Sequence, residues 1–156
     1  MSSDEKSLQE RYAPKGMCFG CGPANEEGLR IRSFVSGDEV ICEWKPERHH
    51  EAFTGTLNGG IIGTLLDCHS NWAAAWHLMK SKGLDHAPCT VTAEFAVKFL
   101  RPAPSGGTVK LVAEPVEVKG DRASIRSKLI AGDKVCAKFE GTFVAVTEGH
   151  PAYHRW

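Results

Sequence analysis

Between Asn58 and Lys80 the chain repeats its apolar residues with a helical period. Ile61, Leu65, Trp72 and Trp76 fall on one stripe, and Ile62, Leu66 and Ala73 widen it. Asn58 is a good N-cap residue, and Gly83 lies where a helix of this length would end. A helix this apolar has to be covered on most of its circumference. The later segments supply a cover, because their period is two. In Val91 to Leu100, the residues Val91, Ala93, Phe95, Val97 and Phe99 share one face, while Thr92, Glu94 and Lys98 share the other. Strands are also expected from Val109 past Pro115, where the alternation changes phase and a bulge or edge is expected, and at Ala123–Ile130 and Val135–Val146. Ahead of the helix, Leu29–Val35 and Val40–Trp44 read as two strands joined by a turn at Ser36-Gly37-Asp38, and His49 to Leu57 reads as irregular. The short connections make the late strands antiparallel. The expected class is therefore α+β: one antiparallel sheet wrapped around a single long helix, with no alternating βαβ units. One sheet covers one side of a helix, so self-association, as dimer or tetramer, is expected to cover the rest.

The 156 residues suit one domain. It is read as residues 29–147, preceded by an N-terminal extension and Cys/Gly/Pro loop over 1–28, with a short helix at Ser7–Tyr12, and followed by a tail over 148–156. Lys plus Arg and Asp plus Glu number 19 each, so no global field draws the chain to nucleic acid or to an anionic membrane. The N-terminal run MSSDEKSLQERYAPKG has no apolar core, and no aliphatic stretch is long enough to span a bilayer. A cytoplasmic location with reduced thiols is the expectation.

Chemistry is suggested where the helix begins. Asn58-Gly59-Gly60 opens it, and the first turn of a helix presents backbone N–H groups without partners at the positive end of the macrodipole. Glycines there let a ligand approach the backbone, which suits a carbonyl oxygen that becomes an oxyanion; they equally allow close packing. Asp67 is a carboxylate within the apolar stripe, and Asn71, four residues on, is placed to orient it. Gly60 and Asp67 are seven residues apart, roughly 10 Å along one helix. A single carbonyl cannot touch both in one chain, whereas antiparallel helices from two copies would bring the glycines of one to Asp67 of the other. His49 and His50 lie just upstream, as acid/base candidates or as surface histidines. His69 lies on the far side of the helix from Asp67. Cys18-x-x-Cys21 is a single pair with no second pair and no H-x-x-x-H, so it is read as a tight loop, and no metal is assigned. Cys68 has no histidine placed to activate it.

Taken together, these residues resemble the hotdog-fold acyl-CoA thioesterases, in particular the phenylacetate-pathway thioesterase-like (PaaI-like) branch. The pattern H-x-x-x-x-G-x-x-H-G-G, six residues, then Asp is met by His50, Gly55, Asn58-Gly59-Gly60 and Asp67, with Asn58 standing where the pattern has His. The pattern T-A, seven residues, R-P is met by Thr92-Ala93 and Arg101-Pro102, and C-x-x-C-G-x-x-N-x-x-G-L by Cys18 to Leu29. The resemblance implies an acyl-CoA or acyl-carrier thioester as substrate and no resident cofactor. It implies that the N–H of Gly59, with Gly60, polarises the thioester carbonyl, with Asn58 at the helix start and His50 upstream. Asp67 of a second copy would act as general base or nucleophile, and Thr92 would position the water or the Asp. Arg101, Lys119 and Arg122 would meet CoA phosphates. By simple alternation Thr92 faces away from the helix, so it reaches the site only through a bulge or at a dimer seam. The Asn at position 58 leaves a second reading open: a non-catalytic hotdog module that binds acyl-CoA or another apolar ligand.

Overall fold

The computed structural model describes residues 4–153. Its elements are α1 (Leu8–Tyr12), β1 (Phe34–Ser36), β2 (Glu39–Trp44), a 3-10 turn (Arg48–His50), β3 (Glu51–Phe53), β4 (Thr56–Leu57), α2 (Gly59–Lys82), β5 (Thr90–Phe99), β6 (Val109–Lys119), β7 (Arg122–Ala131) and β8 (Lys134–Ala145). Six strands form one antiparallel sheet in the order β1-β2-β6-β7-β8-β5, and β3 and β4 form a separate hairpin. Helix α2 packs against β5 to β8. This is the α+β architecture that the periodicities imply, with the helix where the apolar stripe places it. Asn58 is its N-cap, and Gly83, at φ 65°, ends it in the left-handed conformation that glycine adopts without strain.

The core lies between α2 and the sheet. Leu65, Leu66, Trp72, Ala73 and Leu78 of the helix pack with Leu111, Ile125, Leu129, Phe139 and Phe143 of the strands. Polar groups buried within it are paired. Gln9 Nε2 donates to Ser33 Oγ at 2.9 Å, Ser33 Oγ bonds His69 Nδ1 at 2.8 Å, and His69 Nε2 bonds the Val40 carbonyl at 2.8 Å. Because a carbonyl only accepts, His69 Nε2 carries the proton and Nδ1 accepts from Ser33. This chain of bonds ties α1, the segment before β1, α2 and β2 together. Burial pushes the pKa of His69 down to about 4, so the ring is neutral at pH 7.

Three features depart from the sequence expectations. The expected strand from Leu29 is interrupted: Arg30 has φ 52°, and Leu29 and Ile31 donate their N–H groups to Phe19 and Gly20 rather than to a strand. Only Phe34 onward joins the sheet. Second, the segment from His49 to Leu57 is ordered into a turn and a hairpin. Third, β5 changes face. Its register with β8 shifts between Thr92 and Glu94, which leaves Ala93 as a bulge. The phase change in β6 is likewise a bulge, between Pro115 and Glu117. The short helix expected near Ser7 is present, with a capping box between Ser7 and Glu10. Of the tail expected over 148–156, residues 154–156 lie outside the described residues.

Strand β5 forms one edge of the sheet, and it is ten residues long. Phe95 and Phe99 remain 47% and 54% exposed on it, and Phe53 of the hairpin is 67% exposed. A long edge strand with uncovered aromatic rings is unusual for an isolated chain and marks a surface suited to covering by another chain.

Candidate active site

The start of α2 is held by its surroundings before any ligand is considered. The β3–β4 hairpin leads into it, and the Asn58 N–H donates to the His50 carbonyl at 3.0 Å. Asn58 Oδ1 accepts from the N–H groups of Gly60 at 2.8 Å and Ile61 at 3.2 Å. This narrows the sequence-based assignment. The Gly60 N–H is already used by the cap, so Gly59 supplies the first-turn donor that remains. Gly59 is exposed, and a Cβ built on it meets only the Phe99 ring, at 3.6 Å, so the backbone here is open to close approach.

His50 is held by its own turn. Its Nδ1 accepts the Glu47 N–H at 2.9 Å, and its ring packs on Trp44 with centroids 4.8 Å apart. Burial, with a smaller contribution from His49, lowers its pKa, so the ring stays neutral. A neutral ring whose Nδ1 closes a turn braces the entry to the helix. His49 is exposed and pairs with Glu47 at 3.5 Å.

Two turns along α2, Asp67 meets the sheet. Thr92 Oγ1 donates to Asp67 Oδ1 at 2.8 Å. One helical turn further, Thr90 Oγ1 donates to Asn71 Oδ1 at 2.6 Å and Asn71 Nδ2 reaches the Thr90 carbonyl at 3.4 Å. The match is geometric. Four residues of helix advance about 6 Å and two residues of strand about 6.6 Å, so the pairs 67/71 and 92/90 stay in step. The bulge at Ala93 makes this possible. Before it, Thr90 and Thr92 face the helix. After it, Phe95, Val97 and Phe99 do, opposite Gly141, Phe139 and Ala137 of β8. Asn71 thus bonds Thr90, and Thr92 bonds Asp67. Thr90 was not among the residues singled out from the sequence, and an unmarked strand threonine gave no signal for it.

Beside Gly59 lies a groove of about 490 Å³, lined among others by Phe53, Leu57, Phe99, Leu100 and Arg101. Of the proposed phosphate-binding residues, Arg101 is on this groove. Lys119 and Arg122 are not. They flank the turn between β6 and β7, whose Asp121 pairs with Lys82 at the far end of α2. At 1.5 Å per residue that end lies about 35 Å from Gly59, so within one chain they and Arg101 serve different regions.

No helix among the described residues is long and apolar enough to cross a membrane.

The helix start and a carboxylate two turns on, facing a sheet edge, gain context from known proteins. The model of the thioesterase superfamily matches residues 54–138. No curated protein sequence gives a match. Among solved structures, a thioesterase superfamily protein from Shewanella loihica PV-4 is 27% identical, with 80% of this chain and 98% of that chain covered and a TM-score of 0.66. A thioesterase from Haemophilus influenzae, 18% identical, covers 78% of this chain and 84% of its own at a TM-score of 0.67. The PaaI protein from the phenylacetic acid degradation operon of E. coli, 16% identical, covers 76% and 81% at 0.64. The last two show the likeness of fold alone. The matched model spans Gly59, Asp67, Thr92 and the sheet from β5 to the first residues of β8, and on that match the chain belongs to the thioesterase superfamily, with the hotdog fold.

Proposed function

We propose that this chain is an acyl-CoA thioesterase whose site is shared between two copies. The observation that carries the reading is the Asp67 carboxylate, held by the Thr92 hydroxyl at 2.8 Å and lying two turns from an exposed helix-start N–H on Gly59. Along one helix the two are about 12 Å apart, too far for a single carbonyl and its attacking water. Two copies paired through their β5 edges, with α2 antiparallel, bring each Asp67 toward the other copy's Gly59. The exposed Phe95 and Phe99 support such a pairing.

In that arrangement the thioester oxygen points at the Gly59 N–H. Asp67 of the second copy takes a proton from a water, whose oxygen attacks the carbonyl carbon. The negative charge that develops on the carbonyl oxygen is stabilised by the N–H and by the positive end of the helix dipole. The C–S bond then breaks, and the proton held on Asp67 neutralises the departing thiolate. The groove beside Gly59 suits an apolar arm of the substrate, with Arg101 at its side for a phosphate.

A second reading, a ligand-binding module without turnover, is favoured by one observation. Asn58 caps Gly60 and leaves a single oxyanion donor. CoA release from a panel of acyl-CoAs separates the two. Thioesterase activity in the wild type that falls about 10²–10⁴-fold in Asp67→Ala supports the enzyme. Tight acyl-CoA binding without release, unchanged by Asp67→Ala, supports the module.

A further inference from the structure

The loop read from sequence as a tight turn does more than turn. Cys18 and Cys21 are joined by Cys68, which projects from α2 one residue after Asp67, and the three sulfurs lie within 4.8 Å of one another. We propose that Cys18, Cys21 and Cys68 form a binding site for a thiophilic divalent cation, zinc in the first instance, with three thiolate ligands and a fourth position open to solvent.

The geometry fits. Tetrahedral zinc with Zn–S bonds of about 2.3 Å places its sulfurs about 3.8 Å apart. Cys18 Sγ and Cys68 Sγ are 3.7 Å apart. The loop reaches this position because of its glycines. A Cβ at Gly20 would fall 2.4 Å from Cys68 Sγ and 2.9 Å from Thr64 Cγ2. One at Gly22 would fall 2.5 Å from the Cys18 nitrogen. Backbone bonds then fix the loop: Gly22 N–H to the Cys18 carbonyl at 2.8 Å, and Leu29 and Ile31 N–H groups to Phe19 and Gly20. Trp72 Nε1 donates to Cys21 Sγ at 3.4 Å, an outer contact of the kind that steadies a metal ligand. Cys18 is exposed, and a cavity of about 290 Å³ bordered by Cys18, Cys21, Met17 and Trp72 leaves room for a water as fourth ligand.

The sulfurs also interact with one another. Hydrogen bonds from Cys21 and Cys68, and then from the backbone N–H groups of Cys21 and Gly20, pull the Cys18 thiol down to about 2. The neighbouring Cys18 sulfur pushes Cys21 up to about 12 and Cys68 well above its ordinary value. A divalent cation that binds all three sulfurs as thiolates displaces thiol protons to solvent and leaves a singly negative tris-thiolate centre. The ion would pin the N-terminal loop to the turn of α2 that carries Asp67.

The test uses the full chain, reduced and stripped by a chelator, then titrated with zinc against a chromophoric competitor and separately with cobalt(II). The expected results are one equivalent of zinc, release of protons on binding, and a cobalt spectrum with sulfur-to-metal charge transfer and tetrahedral ligand-field bands. Cys18→Ser, at an exposed position that leaves the core intact, is expected to weaken zinc binding by at least about 100-fold, since even outer-shell losses cost about 10–100-fold. Cys89→Ser is expected to bind as the wild type does. No zinc uptake by the reduced chain, equal affinity in Cys18→Ser, or a cobalt spectrum of octahedral oxygen coordination would each overturn the proposal.

Discussion

Replacing Gly59 by proline removes one hydrogen atom from the proposed chemistry and almost nothing from the fold. Gly59 is the first residue of α2, the position where proline is best tolerated because its N–H has no partner within the helix. Asn58, at φ −65° and ψ 136°, already has the extended conformation that a residue before proline prefers. The cap is untouched, since Asn58 Oδ1 bonds the N–H groups of Gly60 and Ile61. A Cβ at this position meets Phe99 at an ordinary contact distance of 3.6 Å. Stability is therefore expected to hold or rise by about 0.4–1 kcal/mol, the usual gain where proline fits. Catalysis should suffer far more. Loss of one oxyanion donor costs about 10²–10³-fold in kcat, or about 2.7–4 kcal/mol. Urea unfolding and CoA release, followed with a thiol reagent, measure the two effects on one preparation. Gly59→Ala keeps the N–H and is expected to keep most of the activity. A folded Gly59→Pro chain within a few-fold of wild type would refute the assignment of this donor. Equal losses in the alanine and proline variants would show that the space above Gly59, and not its N–H, matters.

Thr92→Val removes the hydroxyl that bonds Asp67 and keeps the side-chain shape and the bulge. About a tenfold fall in kcat with KM little changed is expected, since a hydrogen bond to a charged group is worth about 1.5–3 kcal/mol and water replaces part of it; steady-state kinetics would show an unchanged kcat if the bond has no bearing on turnover. His69 makes stability depend on pH. Its folded pKa of about 4 lies below the unfolded value of 6.5, so the unfolded chain binds the extra proton between these values. The stabilising effect is complete above pH 6.5 and is lost as pH falls toward 4, by about 3 kcal/mol in all. His50 and His77 shift in the same direction, so the measurement is the difference in slope between wild type and His69→Gln in urea unfolding. Identical slopes would remove His69 as the source.

The helix and its ends were legible because Asn58, the apolar stripe and Gly83 are local signals that tertiary structure did not override. The late strands were legible for the same reason. What alternation could not show was the bulge at Ala93: alanine carries no turn signal, yet one extra residue moves Thr92 onto the helix side and reverses the faces beyond it. The Gly60 donor was overcounted because a helix-start N–H is also what an N-cap side chain seeks, and Asn58 reaches it first. Lys119 and Arg122 were grouped with Arg101 by charge alone, whereas the position of a hairpin tip is set by the whole sheet. The cysteines show the same limit from the other side. Spacing within a loop reveals Cys18 and Cys21, but the third sulfur comes from a helix 47 residues beyond Cys21, where only packing brings it near.

The claim that one chain holds half a site is tested most directly by mixing two disabled chains. Asp67→Ala lacks the base, and Gly59→Pro lacks the donor. Co-refolded in equal amounts, about half of the resulting dimers contain one of each, and in these one of the two sites has both its Gly59 N–H and its Asp67. The mixture is then expected to recover about a quarter of the wild-type rate of CoA release, although each variant alone is nearly inactive. A mixture no more active than its parts would contradict the shared site and place the whole of the chemistry within one chain.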